Sequence, residues 1–310
     1  MGNDKCWTEA DLRRAVGDWK VRLESEGRTD GTIRTYLRDA SAFITFLAFS
    51  EHQGRPRAAE PATTSRVQRR QARSRSAPIA IPPALQNLFE RWDARGRPVQ
   101  GAMLWPRKRY EDMLPDHLSV LDSVPNCLDR DRLRALGARA HESEELAVIA
   151  LAAIVVWGKG NGGLGPFHLQ AMLTRRPNAT ARVHATALTL HADGPVAAYR
   201  RLGGDCALER LGTSFGTKFL AFCQPAGQKP VALIHDDLVR EWLGENGRPD
   251  LMAAYYSVST YEAYLVQMAA WAASLGTEPE VVEYVVFEEL SRRKGNQWVE
   301  LARCNGGDAV

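Results

Sequence analysis

The sequence predicts an all-α protein, and three observations carry that prediction. Leu146 to Val156 is an unbroken apolar run. Periodicity alone leaves such a run as helix or strand, but its alanines and its helical surroundings favour a buried helix. Apolar residues recur at helix spacing elsewhere, as in Ile33, Tyr36, Leu37, Ala40, Phe43, Ile44 and Leu47. Residues 199 to 237 then read as a helix ending near Leu211, a short glycine turn, and a second apolar helix.

Composition sets wide bounds. A chain of 310 residues has room for two domains and a sizeable core. Apolar content of 45% and charged content of 25% are ordinary for a globular protein. The formal net charge is only +3, so overall charge does not point to nucleic acid. No stretch is long and apolar enough to span a bilayer, and the N-terminus carries charges where a signal peptide needs an apolar core. The expectation is a cytoplasmic chain. The cysteines Cys6, Cys127, Cys206, Cys223 and Cys304 are scattered, with no Cys-x-x-Cys. That argues against a zinc site, a disulfide framework or a four-cysteine iron–sulfur cluster.

In chain order, residues 1–50 form the first expected module. Trp7, Leu12, Val16, Trp19 and Leu23 keep a helix period, with Thr8 as N-cap and Gly27 as the stop. The second amphipathic helix follows from Thr32. The phrase Gly27-Arg28-Thr29-x-x-Thr32-Ile33-Arg34-Thr35-Tyr36, ending in Phe43-x-x-Phe46-Leu47, resembles the SAM-like core-binding domain of tyrosine recombinases. The resemblance implies a helical module that holds DNA, and a plain helical pair packing on the rest of the chain is the alternative. No Arg…His-x-x-Arg…Tyr set follows, so recombination is not expected.

Residues 51–83 read as a linker. They hold five prolines, few large apolar groups, and seven arginines against Glu51 and Glu60. Such a segment is a poor core former and a good counter-charge for phosphate. Arg66, Arg69, Arg70 and Arg73 are therefore candidate DNA contacts.

Residues 84–310 make the third expected unit. Leu85, Leu88, Phe89 and Trp92 open it at helix spacing. The buried run ends at Trp157, followed by a loop with five glycines between Gly158 and Gly165. The loop is neither a Walker motif nor a dinucleotide fingerprint. Trp157 either stacks on a base or ends a core helix. The aromatic stripe Tyr255, Tyr256, Tyr261, Tyr264, Met268 and Trp271 reads as core. His184 and His191 lack metal-ligand spacing.

In the central motif, Gly212, Thr213, Ser214, Gly216 and Thr217 form the turn, and a helix opens at Thr217-Lys218. Glycines let the backbone approach a ligand, and amides at a helix start suit a phosphate. Lys218 is expected at that positive helix end, beside Phe215, Phe219 and Phe222, where a lysine loses its proton easily. An exposed helix start also makes Lys218→Ala a mild change in stability. Asp236 follows eighteen residues later, after the apolar run Val231 to Ile234.

This constellation resembles the helix-hairpin-helix DNA glycosylases, and Phe215-Gly216-Thr217-Lys218 resembles their 8-oxoguanine branch. The resemblance covers about residues 144–290, including Val282-Glu283-x-x-x-Phe287. It implies that Lys218 is the nucleophile and Asp236 the catalytic aspartate, with Asp237 as the neighbouring candidate. It also implies a base pocket walled by Trp157 and Phe215. The turn departs from the commoner Leu-Pro-Gly-Val-Gly pattern. The expected protein is a monomeric, nucleoid-associated glycosylase, with AP-lyase activity, strand cleavage by β-elimination from a Schiff base, left open. It acts on double-stranded DNA that carries a modified base, and needs neither metal nor organic cofactor. Three alternatives stay open: a glycosylase for another modified base such as those of phage DNA, a non-catalytic DNA-binding protein, and an integrase-related accessory factor.

Overall fold

The computed structural model describes residues 9–25, 37, 79–160, 163–252 and 256–295. The chain divides into two compact units, Met1–Ala72 and Arg73–Val310. In the first, α1 (Glu9–Ser25) is the described helix. The expected caps Thr8 and Gly27, most of the expected second helix, and Arg66, Arg69, Arg70 and Arg73 lie outside the described residues.

The second unit is helical, as expected. It opens with an extended stretch at Ile79. The Ile79 amide donates to Gln267 Oε1 at 3.0 Å, and its carbonyl accepts from Gln267 Nε2 and Trp271 Nε1, each at 3.1 Å. Residues 79–83 are thus tied into the helical unit, which corrects the expected linker end at 83. α2 (Pro83–Ala94) starts on proline, whose missing N–H costs nothing in a first turn, and buries Leu85, Leu88 and Trp92. The two-residue strands β1 (Met103–Leu104) and β2 (Cys127–Leu128) pair antiparallel. Between them lie α3 (Arg107–Met113) and α4 (Leu118–Asp122). Cys206 and Cys223 are free thiols, whereas Cys127 is disulfide-bonded, which the scattered cysteine spacing did not announce.

α5 (Arg130–Gly137) is capped by Asp129, which accepts from the Arg132 amide at 2.7 Å. α6 (Glu144–Lys159) is the centre of the fold. Ser143 caps it, Glu144 and Glu145 meet the positive helix end, and every residue from Ala147 to Trp157 is buried. A helix apolar on all sides must be surrounded. Five helices do so: α4, α5, α7 (Gly165–Thr174), α8 (Ala179–Asp193) and α10 (Thr213–Cys223). Each large aliphatic side chain on α6 contributes roughly 1.5–3 kcal/mol by leaving water. The unit closes with α9 (Pro195–Leu202), α11 (Asp237–Glu245), α12 (Val258–Leu275) and α13 (Pro279–Arg293).

The expected turn is corrected. α9 ends at Leu202, not near Leu211, and α10 already begins at Thr213 with Gly212 as N-cap. Gly203 and Gly204 stop the first helix; Leu208 and Leu211 continue its apolar period only by burying themselves in the connecting turn. Gly216 is helical, and a Cβ there would lie 2.3 Å from the Tyr256 hydroxyl. Its lack of a side chain serves packing.

Candidate active site

The site begins with how α10 is held. Thr217 is fully buried; its hydroxyl donates to the Thr213 carbonyl at 2.9 Å and accepts from the His235 amide at 3.0 Å. Residues 231–236, which form no regular element, run beside it. Their carbonyls have no sheet partner, so α12 supplies donors. Tyr261 donates to the Leu233 carbonyl at 3.1 Å and Tyr264 to that of Ile234 at 2.8 Å. The aromatic stripe is core, as expected, but its hydroxyls also fix the segment that delivers Asp236.

Asp236 caps α11. One carboxylate oxygen accepts from the Val239 amide at 3.1 Å; the other accepts from Lys218 Nζ at 2.9 Å. Lys218 also donates to the Ser214 hydroxyl, one turn back, at 3.2 Å. Lys218 and Asp236 are each 7% exposed, so their attraction is little screened by water. Burial pushes the Asp236 carboxyl up, but Lys218, the Val239 amide and Arg240 outweigh it and hold it below the usual carboxylate value. Asp237 is exposed and bonded to Arg240.

Lys218 is the sixth residue of α10 rather than a residue at its start, so the expected helix-dipole effect loses its basis. Of the expected DNA contacts here, Thr213, Gly216 and Thr217 are buried packing residues. Gly212 is exposed and Ser214 half-buried.

A cavity of about 230 Å³ opens on the pair, with Trp157, Phe215, Arg130, Glu283 and Phe287 in its walls. Trp157 lies buried in the last turn of α6. Its ring meets Phe222 edge-on at 5.2 Å, and the Arg130 guanidinium sits 5.9 Å over it. Phe215 reaches the cavity because Gly158 leaves room: a Cβ there would lie 2.7 Å from the Phe215 ring. Lys159 and Lys218 lie 5.0 and 5.6 Å from the Phe215 centroid. Burial, then the Lys218 charge, pushes the Lys159 ammonium below the ordinary lysine value, against Asp237. On the far wall Glu283 accepts from Arg130 at 3.3 Å, and burial pushes its carboxyl up against the pull of that guanidinium.

Chemically, a proton passed from the ammonium to the carboxylate leaves a neutral amine facing the cavity. In its ionised form the carboxylate instead stabilises positive charge that develops nearby. Among the described residues no cluster of three His, Cys, Asp or Glu can hold a metal ion.

Residues 96–287 match the family model described as "Putative 8-oxoguanine DNA glycosylase OGG-like protein". The chain belongs to this OGG-like family. The matched segment contains Lys218, Asp236 and the cavity walls, and the family implies DNA as the substrate. The SAM-like resemblance lies in residues outside the match. No curated protein and no solved structure matches the chain. No described helix is long and apolar enough to cross a membrane.

Sequence reading of this OGG-like chain singled out Lys218, Asp236, Trp157 and Phe215, and all four line one cavity. It missed Arg130 and Lys159. Lys159 adjoins the Trp157-Gly158 pair and was within reach. Arg130 comes from a helix far away in sequence, and no local signal points to it.

Proposed function

We propose that this OGG-like protein is a DNA glycosylase whose reaction is carried by Lys218 and Asp236. The observation behind this reading is the buried 2.9 Å contact between the two, at the edge of a cavity with aromatic walls. A base inside duplex DNA cannot reach such a site, so the nucleotide must be extruded into it. Trp157, Phe215 and Phe287 supply apolar surface for the base, and the Arg130–Glu283 pair supplies polar groups for its edge. The base is 8-oxoguanine or a related modified base.

Asp236 takes a proton from Lys218. The free amine attacks C1′ of the deoxyribose, a C–N bond forms, and the base leaves with the electron pair of the glycosidic bond and acquires a proton. The resulting aminal opens to a Schiff base, which water hydrolyses to an abasic site. The departing base takes the proton that Asp236 received, so the carboxylate is charged again and stabilises the Schiff-base cation at C1′. If Asp236 activated water instead, abasic sites would form without any covalent adduct.

The test is a panel of duplexes, each with one modified base and 8-oxoguanine first, scored for abasic sites. Borohydride is added in parallel to trap the Schiff base. Excision by the wild type and none by Lys218→Gln is the expected result. Equal excision by both proteins removes Lys218 from the mechanism.

A further inference from the structure

The cations of the helical unit differ in their partners. Most are paired with carboxylates, as Arg95 is with Glu288, Arg134 with Glu280, Arg201 with Asp205 and Arg293 with Glu245. Lys159, Arg175 and Arg210 have aromatic rings as neighbours instead. Lys159 lies 5.0 Å from the Phe215 centroid, and the Arg175 and Arg210 guanidinium carbons lie 5.1 and 5.7 Å from the Phe167 centroid. Among the described residues no carboxylate lies within ion-pair distance of these three, Asp237 being taken by Arg240.

Two further observations link the group. Burial, then the charges of Lys159 and Arg210, pushes His168 down to about 4, so both cations act on the residue beside Phe167. Arg210 is exposed and has φ of +65°. A left-handed arginine is a strained backbone, and such residues cluster at ligand sites. The Cys206 amide on the Arg201 carbonyl and the Tyr256 hydroxyl on the Leu211 carbonyl hold the turn that carries it.

We propose that Arg210 and Arg175, against Phe167, and Lys159, against Phe215, seat the phosphate backbone of the DNA strand that carries the extruded nucleotide. A guanidinium lying against an aromatic ring keeps its N–H edge free for bidentate contact with phosphate oxygens. Lys159 shares a cavity wall with Lys218, so an anion held there belongs to the molecule whose reacting carbon lies at Lys218. In a nucleotide that anion is the adjoining phosphate. The assignment rests on the reading of the cavity as a site for DNA.

The test is binding of the full chain to an unmodified duplex, by fluorescence anisotropy over a range of salt. Each lost phosphate contact lowers the slope of log affinity against log salt by about 0.9. Arg175→Gln/Arg210→Gln is expected to lower it by about 1.8, and Lys159→Met by about 0.9. The control Arg134→Gln/Arg293→Gln, which breaks ion pairs elsewhere, is expected to leave it unchanged. All four arginines are surface groups, and thermal melts verify the fold of each variant. A wild-type slope in folded Arg175→Gln/Arg210→Gln overturns the proposal, as does an equal loss in the control. The readout needs no base excision. Lowered slopes with no excision by the wild type leave the seat standing and remove the glycosylase reading.

Discussion

Lys218 and Asp236 lie eighteen residues apart in sequence and 2.9 Å apart in space, and each is only 7% exposed. Burial changes what substitution does. An exposed helix start would make Lys218→Ala mild; here it strands a buried carboxylate, at a cost of about 3–5 kcal/mol. Lys218→Gln keeps a donor for Asp236 without the charge. The expected outcome is loss of excision in both variants, with a fall in melting temperature much larger for Lys218→Ala. Equal melting temperatures would mean that the pair is more solvated than its geometry shows.

Asp236 also ends a helix, so its substitutions separate two roles. Asp236→Asn keeps an oxygen for the Val239 amide but not the charge. Asp236→Ala loses both, with about 1 kcal/mol for the cap alone. Excision is expected to fall in both, and denaturant melts to place Asp236→Ala below Asp236→Asn. An active Asp236→Asn would remove the carboxylate from the chemistry.

His235 predicts a pH dependence. Its Nε2 donates to the Leu251 carbonyl at 2.8 Å, its Nδ1 has no partner among the described residues, and it stacks on Tyr264 at 4.4 Å. Burial, then the Arg240 charge, pushes it down to about 4. The unfolded chain, with an ordinary histidine near 6.5, therefore binds more protons between these values. The contribution is fully present above about pH 6.5 and is lost as pH falls toward 4, on the order of 3 kcal/mol in all. Asp236, held below the usual carboxylate value, loses its share at still lower pH. Denaturant melts of His235→Asn are expected to show a flatter profile between pH 4 and 6.5. An unchanged profile would assign the dependence to another group.

These groups differ in how visible they are in sequence. α6 is legible because a long apolar run has few other uses. The Lys218–Asp236 pair is legible through the resemblance of Phe215-Gly216-Thr217-Lys218 and the aspartate eighteen residues on to the helix-hairpin-helix DNA glycosylases. The turn before α10 is not: Leu208 and Leu211 fit a helix period, and local pattern does not reveal that Gly203 and Gly204 stop the helix first. Gly216 looked like a turn glycine because its reason, the Tyr256 hydroxyl, lies 40 residues away. Tyr261 and Tyr264 read as core because pattern shows a buried face but not which carbonyl a hydroxyl will reach.

Gly158 is a second glycine whose reason is distant. Gly158→Ala adds a methyl group 2.7 Å from the Phe215 ring and 3.4 Å from Lys218 Cδ. The helix itself favours alanine by about 1 kcal/mol, so the fold has no local reason to suffer. The ring must shift toward the cavity, which narrows the space at Lys218. The expected result is a melting temperature near that of the wild type with a large loss of excision. Full excision would show that Phe215 yields without disturbing the site.

The last prediction concerns where the N-terminal part can be removed. The Ile79 backbone satisfies Gln267 and Trp271, which are each 1% exposed. Deleting residues 1–83 leaves the Trp271 N–H and the Gln267 amide without these partners and removes the proline that starts α2. A buried polar group left unpaired costs about 1–3 kcal/mol. Deleting residues 1–78 leaves every one of those bonds in place. The longer deletion is expected to melt several degrees below the shorter one. The shorter deletion should keep its choice of modified base, since base contact is assigned to the cavity. It also removes the arginines between 55 and 75 that are expected to meet phosphate, so its affinity should respond less steeply to salt than that of the full chain. Equal melting temperatures for the two deletions would show that Ile79 adds nothing to the helical unit. A changed base preference in the shorter one would bring the N-terminal residues into the pocket.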